Sequence, residues 1–279
     1  MPEGDTIHRA ARTLHAALAG QPVTRFATGL AQLAQLDRDE PIRGRSVERV
    51  TAAGKHLLIA FSGGVVLRTH MRMNGSWHMY RPGERWQRAR HSMRILIETT
   101  HWVAVAFNVY AAEFVRADAI DRHAPLAMLG PDLLGDFDRD EALARIGVQG
   151  ARPIHEVLLD QRMMAGIGNV YKSEILFLSR LHPDTPANTL SAEQWNRLFE
   201  LARRLLAANV AETSGSGIET YRGLRRTTGR MSPSDRLWVY SRGGRPCRTC
   251  GTPIASRKDG DNARVTYWCP QCQPALIGA

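Results

Sequence analysis

The chain has 279 residues, 43% of them hydrophobic and 23% charged, which suits a water-soluble protein long enough for about two domains. No apolar run approaches the ~18 residues of a membrane-spanning helix, and the opening Met-Pro-Glu-Gly-Asp is too polar for a secretory signal. A cytoplasmic protein with no membrane partner is therefore expected. Thirty-seven Lys and Arg against 27 Asp and Glu leave +10, an excess that favours a polyanion: nucleic acid first, an anionic membrane surface second.

Residues 5–20 carry Ile7, Ala10, Ala11, Leu14, Ala17 and Leu18 at helical spacing. Asp5 or Thr6 is available as a cap and Gly20 as a stop. From 23 to 114 the period shortens. Strands are expected at 47–50, 57–61, 65–69, 77–80, 93–97 and 103–107, punctuated by Gly54, Ser62-Gly63-Gly64, Asn74-Gly75 and Pro82-Gly83. Short strands with close turns predict an antiparallel sandwich. Beyond 119 the pattern turns helical, with helices expected at 138–146, 154–160, 169–178 and 191–208. The Gly-, Ser- and Arg-rich stretch 213–230 has no periodicity and reads as a loop. Strand signals return at 237–240 and 264–268.

All four cysteines fall near the C-terminus, as Cys247-x-x-Cys250 and Cys269-x-x-Cys272. Two such turns separated by this distance match a zinc ribbon or finger, and four thiolates close a tetrahedral shell. A closed shell leaves no position for water, so one structural Zn2+ is expected. Disulfides are the alternative, disfavoured in a chain with no secretory signal. Arg257-Lys258-Asp259-Gly260 reads as a hairpin tip and Arg264 to Trp268 as the returning strand, together a basic hairpin suited to phosphate. Taken alone, Arg264 reads as a solvated strand residue more readily than as a phosphate ligand.

At the other end, Met1 precedes a small residue whose exposure would make Pro2 a free secondary amine. An α-amino group titrates near ~8, so part of it is neutral and nucleophilic at physiological pH. Glu3 offers a carboxyl group for acid–base work. Together with Gly54-Lys55, the run Asp160-Gln161 through Gly166-Ile-Gly-Asn169-Val-Tyr171-Lys-Ser-Glu174, and the finger with its flanks Val239-Tyr-Ser-Arg-Gly-Gly-Arg and Pro-Gln-Cys-Gln273, this start resembles the formamidopyrimidine-DNA glycosylase and endonuclease VIII family. The motifs run in family order from residue 2 to residue 273.

The resemblance implies an α+β fold: an N-terminal antiparallel β-sandwich with flanking helices (1–118), a helical domain with a helix–two-turn–helix (119–236), and a four-cysteine zinc-finger β-hairpin (237–279). It implies a monomer acting on damaged DNA, duplex or partly single-stranded, held between the domains, and a bacterial-type enzyme that meets the nucleoid through DNA. By the same resemblance Pro2 attacks C1′ of the damaged nucleotide, Glu3 serves as acid–base partner, and β,δ-elimination follows through a Schiff base. Lys55 binds phosphate and assists elimination, and Asn169 and Arg264 hold the phosphates flanking the lesion. Without the resemblance, Lys55 is a solvated turn lysine and Asn169 a helix N-cap. Base extrusion leaves a hole in the stack, which Met73, with Arg72 beside it, would fill; core packing is the alternative for Met73. Glu174 matches a family position with no role assigned.

Thr6 stands where many members carry a second glutamate, so family details that depend on that glutamate do not carry over; the stretch 107–114 lacks the Arg-Arg-Phe segment of the purine branch. With the Pro-Glu-Gly start, this favours oxidised pyrimidines over 8-oxoguanine and formamidopyrimidines. Two other classes compete: a damaged-DNA binder without chemistry, disfavoured by the intact Pro2, Glu3 and Lys55 set, and a zinc-ribbon RNA partner, which leaves the N-terminus unexplained.

Overall fold

In the computed structural model of the protein, which describes residues 2–211, 225–228, 230, 232, 234–259 and 264–275, the N-terminal stripe becomes helix α1 (Gly4–Leu18). Its apolar face, Ile7, Ala10, Ala11, Leu14, Ala17 and Leu18, is fully buried. The N-cap is Glu3 and not Asp5 or Thr6: the Glu3 carbonyl accepts the N–H groups of Thr6 (2.9 Å) and Ile7 (3.1 Å). Asp5 lies inside the first turn, buried, where the Thr6 hydroxyl donates to it (3.2 Å). Gly20, at φ +78°, takes the left-handed conformation just past the helix that favours glycine.

The described residues divide into two compact units, 2–128 with 210 and 211, and 129–209 with those from 225 onward. In the first, β1 (Arg25–Thr28), α2 (Ala31–Asp39), β2 (Val47–Ala53), β3 (His56–Phe61), β4 (Val65–His70), β5 (Ser76–Tyr80), β6 (Met93–Glu98), β7 (Val103–Phe107) and β8 (Ala111–Arg116) follow α1. A short helix, α3 (Ala124–Ala127), ends the unit. The strands form two antiparallel four-stranded sheets, ordered β1-β6-β7-β5 and β2-β3-β4-β8. Alternation decides which residues meet between them: in β3, Leu57, Ile59 and Phe61 are buried while their neighbours are half-buried. They join Trp77, Met79, Ile95 and Ile97 of the other sheet, and the α1 stripe, in one core. The second face of β5 and β7 is also covered, with Trp86 packed against Phe107 and Tyr80.

The six strands expected from turn spacing are all present, extended by zero to three residues. Strands β1 and β8 and helix α2 were not legible from periodicity. Arg25-Phe-Ala-Thr28 is too short to show an alternation, and β8 is defined by its register on β4, His70 opposite Ala111 through Val65 opposite Arg116.

The second unit holds α4 (Arg139–Gly147), α5 (Ile154–Val157), α6 (Asn169–Leu178), most of α7 (Ala192–Ala211), and a two-stranded hairpin of β9 (Ala255–Asp259) and β10 (Arg264–Trp268). Asp138 caps α4 by accepting the Glu141 N–H (2.9 Å). Ser191 and Gln194 form a reciprocal capping box at the start of α7. Residues 237–240, expected as a strand, are none: the N–H groups of 238–240 go to a side-chain carboxylate, described below. Of the loop expected over 213–230, only 225–228 and 230 are described; Gly260 also lies outside the described residues. Among those described, no helix is long and apolar enough to cross a membrane.

Gly75 closes the β4–β5 crossover by donating to the Met71 carbonyl (2.9 Å), and a Cβ there would come within 2.4 Å of that oxygen. Gly75→Ala should therefore destabilise the protein by ~1–3 kcal/mol, read as a lower urea midpoint.

Candidate active site and metal centre

Register brings several of the expected site residues to one end of the sandwich. Ala53 pairs with His56 across a two-residue turn, His56 with His70, and His70 with Ala111. Gly54, at φ +56°, occupies the first turn position, where only glycine is at ease, and Lys55 follows it. At this end the chain crosses twice between the sheets, through 71–75 and through 108–110, because Ser76 is paired with Phe107. The first crossover carries Arg72, exposed and at φ +50°, and Met73, 63% exposed. Met73 is thus outside the core. Helix α1, preceded by the half-buried Pro2 and the fully buried Glu3, packs on β2 and β3, the strands joined by the Lys55 turn.

The second crossover presents a residue that sequence reasoning passed over. Tyr110 is 57% exposed, and Arg94 holds it, donating to its hydroxyl (2.7 Å) with the guanidinium 4.6 Å from the ring centroid.

Beneath the crossovers His56 and His70 meet edge to face at 4.9 Å. Burial, then the Arg68 charge, pulls His56 down to about 3; burial, then Lys55, pulls His70 down to about 4. Both are neutral at pH 7, so His70 Nδ1 is free to accept the Arg72 N–H (3.1 Å) and fix the crossover. Arg68 Nε lies 3.0 Å from Glu113, which His123 also approaches at 3.1 Å.

In the second unit α6 is the organising element. Gln161 fixes the turn before it, accepting the Gly166 N–H (3.1 Å) and donating to the carbonyls of Leu159 (2.9 Å) and Ile167 (3.0 Å). The helix begins at Asn169, whose amide donates to the Val265 carbonyl (2.9 Å); its Oδ1 is buried with no hydrogen-bond partner among the described residues. One turn on, the buried Lys172 donates to the Thr266 hydroxyl (2.6 Å), and Ser173 Oγ accepts the Tyr267 N–H (3.4 Å). These contacts at i, i+3 and i+4 dock β10 along α6, placing exposed Arg264 next to the residue that Asn169 holds. Asn169 and Arg264 are therefore neighbours.

Glu174, fully buried, gains a role. Its carboxylate accepts the N–H groups of Trp238 (2.8 Å), Val239 (2.9 Å) and Tyr240 (2.8 Å), and the Thr227 hydroxyl also donates to it. Three donors on one carboxylate explain why 237–240 is not a strand.

Arg257, expected at a phosphate-facing hairpin tip, lies within β9 and is spoken for. It donates to both oxygens of Asp184 (2.9 and 2.6 Å) and to Asp259 (2.6 Å). Its hydrogen bonds hold Asp184 below the usual carboxylate range. Arg257 fastens the hairpin to the loop after α6.

The four cysteine sulfurs lie within 4.8 Å of one another, with Sγ–Sγ separations of 3.9 Å (Cys247–Cys272) and 3.5 Å (Cys250–Cys269 and Cys250–Cys272). A tetrahedron with ~2.3 Å metal–sulfur bonds has edges of about 3.8 Å, so the set fits one zinc ion. Backbone N–H groups of Thr249 and Cys272 point at Cys247 and Cys269 sulfurs (both 3.4 Å), as bound thiolates require. Gln273 ties the knuckle to the helical unit, accepting from Cys269 N–H (2.9 Å) and donating to the Leu181 carbonyl (2.7 Å). The residues hold zinc and leave it no open position.

Residues 1–109 match the formamidopyrimidine-DNA glycosylase N-terminal domain, 129–221 the H2TH domain of the same enzymes, and 244–275 the zinc finger found in FPG and IleRS. A probable endonuclease 8 2 of Streptomyces coelicolor is 42% identical over 98% of this chain and 94% of its own length. The chain belongs to the formamidopyrimidine-DNA glycosylase and endonuclease VIII family. Within this family the endonuclease VIII branch lies nearer. The DNA-(apurinic or apyrimidinic site) lyase Nei2 of Mycolicibacterium smegmatis is 37% identical over 99% of the chain and its full length. A formamidopyrimidine-DNA glycosylase of Bacillus cereus reaches 30% over the same spans. The Lactococcus lactis Fpg, solved with abasic-site DNA, shares the fold at TM-score 0.81 and 20% identity, covering 98% of this chain and all of its own.

Glu174→Ala should leave three buried N–H groups unpaired, at ~1–3 kcal/mol each, loosening the base of the finger in limited proteolysis, while Glu174→Gln keeps part of the loss at bay. The histidine pair predicts a pH effect. Unfolded imidazoles titrate near ~6.5, so between there and about 4 the unfolded chain takes up protons that folded His56 and His70 refuse. Stability should fall as pH drops through that window, and His70→Gln should flatten the slope in urea titrations at successive pH values.

Proposed function

We propose that the protein is a bifunctional DNA glycosylase and abasic-site lyase of base-excision repair, acting through the secondary amine of Pro2 once Met1 is removed. The observation that carries this reading is the pairing at the start of α1. A half-buried proline is followed at once by a fully buried carboxylate, on a helix packed against the strands of the Lys55 turn. The Pro2 nitrogen bonds to C1′ as the C1′–N bond to the damaged base breaks, the base leaving with the electron pair and a proton. Glu3 is the acid–base partner and assists opening of the sugar ring. The resulting iminium is an electron sink: a proton leaves C2′, the electrons form a C=C bond, and the 3′ phosphate departs. A second elimination expels the 5′ phosphate. Lys55 stabilises the phosphate during these steps, and Asn169 and Arg264 hold phosphates, using an amide at a helix N-terminus and an exposed guanidinium. Zinc, when bound, stabilises the finger fold; Cys247, Cys250, Cys269 and Cys272 hold it and it takes no chemical step.

On this reading Met73 enters the stack when the nucleotide is extruded, with Arg72 beside it, and its exposure supports the role. Oxidised pyrimidines are the favoured lesions, supported by the greater likeness to endonuclease 8 proteins and by Phe107-Asn-Val-Tyr-Ala-Ala-Glu-Phe114 where the purine branch has Arg-Arg-Phe. The protein would act as a monomer with three parts, sandwich, helical domain and finger, at the DNA in the cytoplasm.

Borohydride should trap the protein covalently on abasic-site DNA, and Pro2→Gly or an N-terminal tag should abolish the adduct. Intact protein that leaves no adduct overturns the reading. Glu3→Gln should lower base excision by roughly 10²–10⁴-fold, measured in single turnover on a thymine glycol duplex. Faster excision of 8-oxoguanine than of oxidised pyrimidines by the intact enzyme would reverse the branch preference.

A further inference from the structure

The helical unit has a hollow that the proposed chemistry does not use. It lies between α7 and the chain leaving α6, holds about 480 Å³, and is floored by Leu178, Leu181, Leu198 and Leu201. Leu198 belongs to the core; the other three are partly buried side chains at its edge. Along α7 the lining residues Gln194, Arg197, Leu198, Leu201 and Arg204 fall at helical spacing, one continuous stripe. The hollow is at the far end of α6 from Asn169, roughly 14 Å away along the helix axis.

Its rim is basic and unengaged. Arg197 and Arg204 line the hollow and are exposed, with no hydrogen-bond, ion-pair or ring partner among the described residues. Arg180, between lining residues Ser179 and Leu181, is likewise exposed and unpartnered. Six other arginines of the unit, Arg139, Arg145, Arg152, Arg162, Arg248 and Arg257, are paired with carboxylates, whereas Arg197 and Arg204 are not. Arg197, Leu201 and Arg204 also line an adjoining hollow bordered by Glu193, in the first turn of α7, and by Glu200, which is already bonded to Arg139.

We infer that this groove is a docking site for a short acidic peptide segment of a partner protein, one that seats an apolar side chain on the leucines while its carboxylates meet Arg197 and Arg204. A phosphate backbone would satisfy the arginines but leave the leucine floor wet, whereas a purely apolar segment would leave Arg197 and Arg204 unanswered. The volume suits one or two side chains. Rim cations around an apolar floor give register and steering, and the floor gives affinity.

The test uses the full-length, zinc-loaded protein and a panel of fluorescein-labelled hexapeptides, each with Asp or Glu at most positions and Leu, Ile or Phe at the rest, read by anisotropy. At least one peptide should bind with a micromolar Kd, and Arg197→Glu with Arg204→Glu should weaken it about tenfold or more, while Arg197→Lys with Arg204→Lys retains most of it. Abasic-site cleavage should be unchanged in both variants. Circular dichroism and zinc content check their folding, and the single reversals replace the double one if it does not fold. A panel in which nothing binds, or binding that charge reversal leaves untouched, overturns the proposal. Loss of affinity for a labelled DNA duplex in the reversed variant, with no peptide bound, assigns the groove to nucleic acid instead.

Discussion

Much of the second unit depends on what α6 does with its buried polar face. A helix as buried as this one would ordinarily be apolar all round, yet Asn169, Lys172, Ser173 and Glu174 are all inaccessible. Each is matched to a group of the finger region: a carbonyl, a hydroxyl, an amide and a row of three amides. Buried polar groups are costly unless satisfied, and these pairings give the finger one register on the helix, while Asn169 Oδ1 has no partner among the described residues. The finger itself has too little core to fold unaided, and zinc supplies that stability. Metal and helix therefore have separate tasks, one shaping the hairpin and the other aiming it, with Arg257 and Gln273 as additional ties.

The first unit solves a different problem. The residues proposed for its chemistry come from segments far apart in sequence, the start of α1 and the connections between strands. The antiparallel register gathers the Lys55 turn and both inter-sheet crossovers at one end, because His56, His70 and Ala111 are successive partners across three strands. A one-residue slip in any pairing would invert the faces of that strand and bury Lys55's neighbours wrongly. The core of alternating Leu, Ile and Phe residues is what forbids the slip, so site and core are held by the same constraint.

What was legible in the sequence follows from the range of the signal. Strands bounded by glycine turns, the α6 boundaries and the cysteine pairs are local patterns and could be read directly. The stretch 237–240 looked like a strand because Leu-Trp-Val-Tyr has the composition of one, and its true partner, Glu174, is more than sixty residues away. Arg257 looked like a phosphate ligand for a similar reason: basicity is visible in one dimension, whereas its neutralisation by Asp184 and Asp259 is not. The exposure of Tyr110 was not legible, because a single exposed aromatic has no sequence signature. The unpaired arginines over the leucine floor were equally invisible, since helical spacing reveals a stripe but not whether another element covers it.

Met73 stands in water with most of its side chain accessible, and a thioether so placed is open to the same oxidants that damage bases. Conversion to the sulfoxide would replace an apolar tip by a polar, chiral one, at the position proposed to slide between bases. A cell under oxidative stress would then lose repair capacity as lesions accumulate, through a change that methionine sulfoxide reductases undo. On the role proposed for Met73, the exposure that would let the side chain probe DNA would also tie the enzyme's competence to the redox state around it.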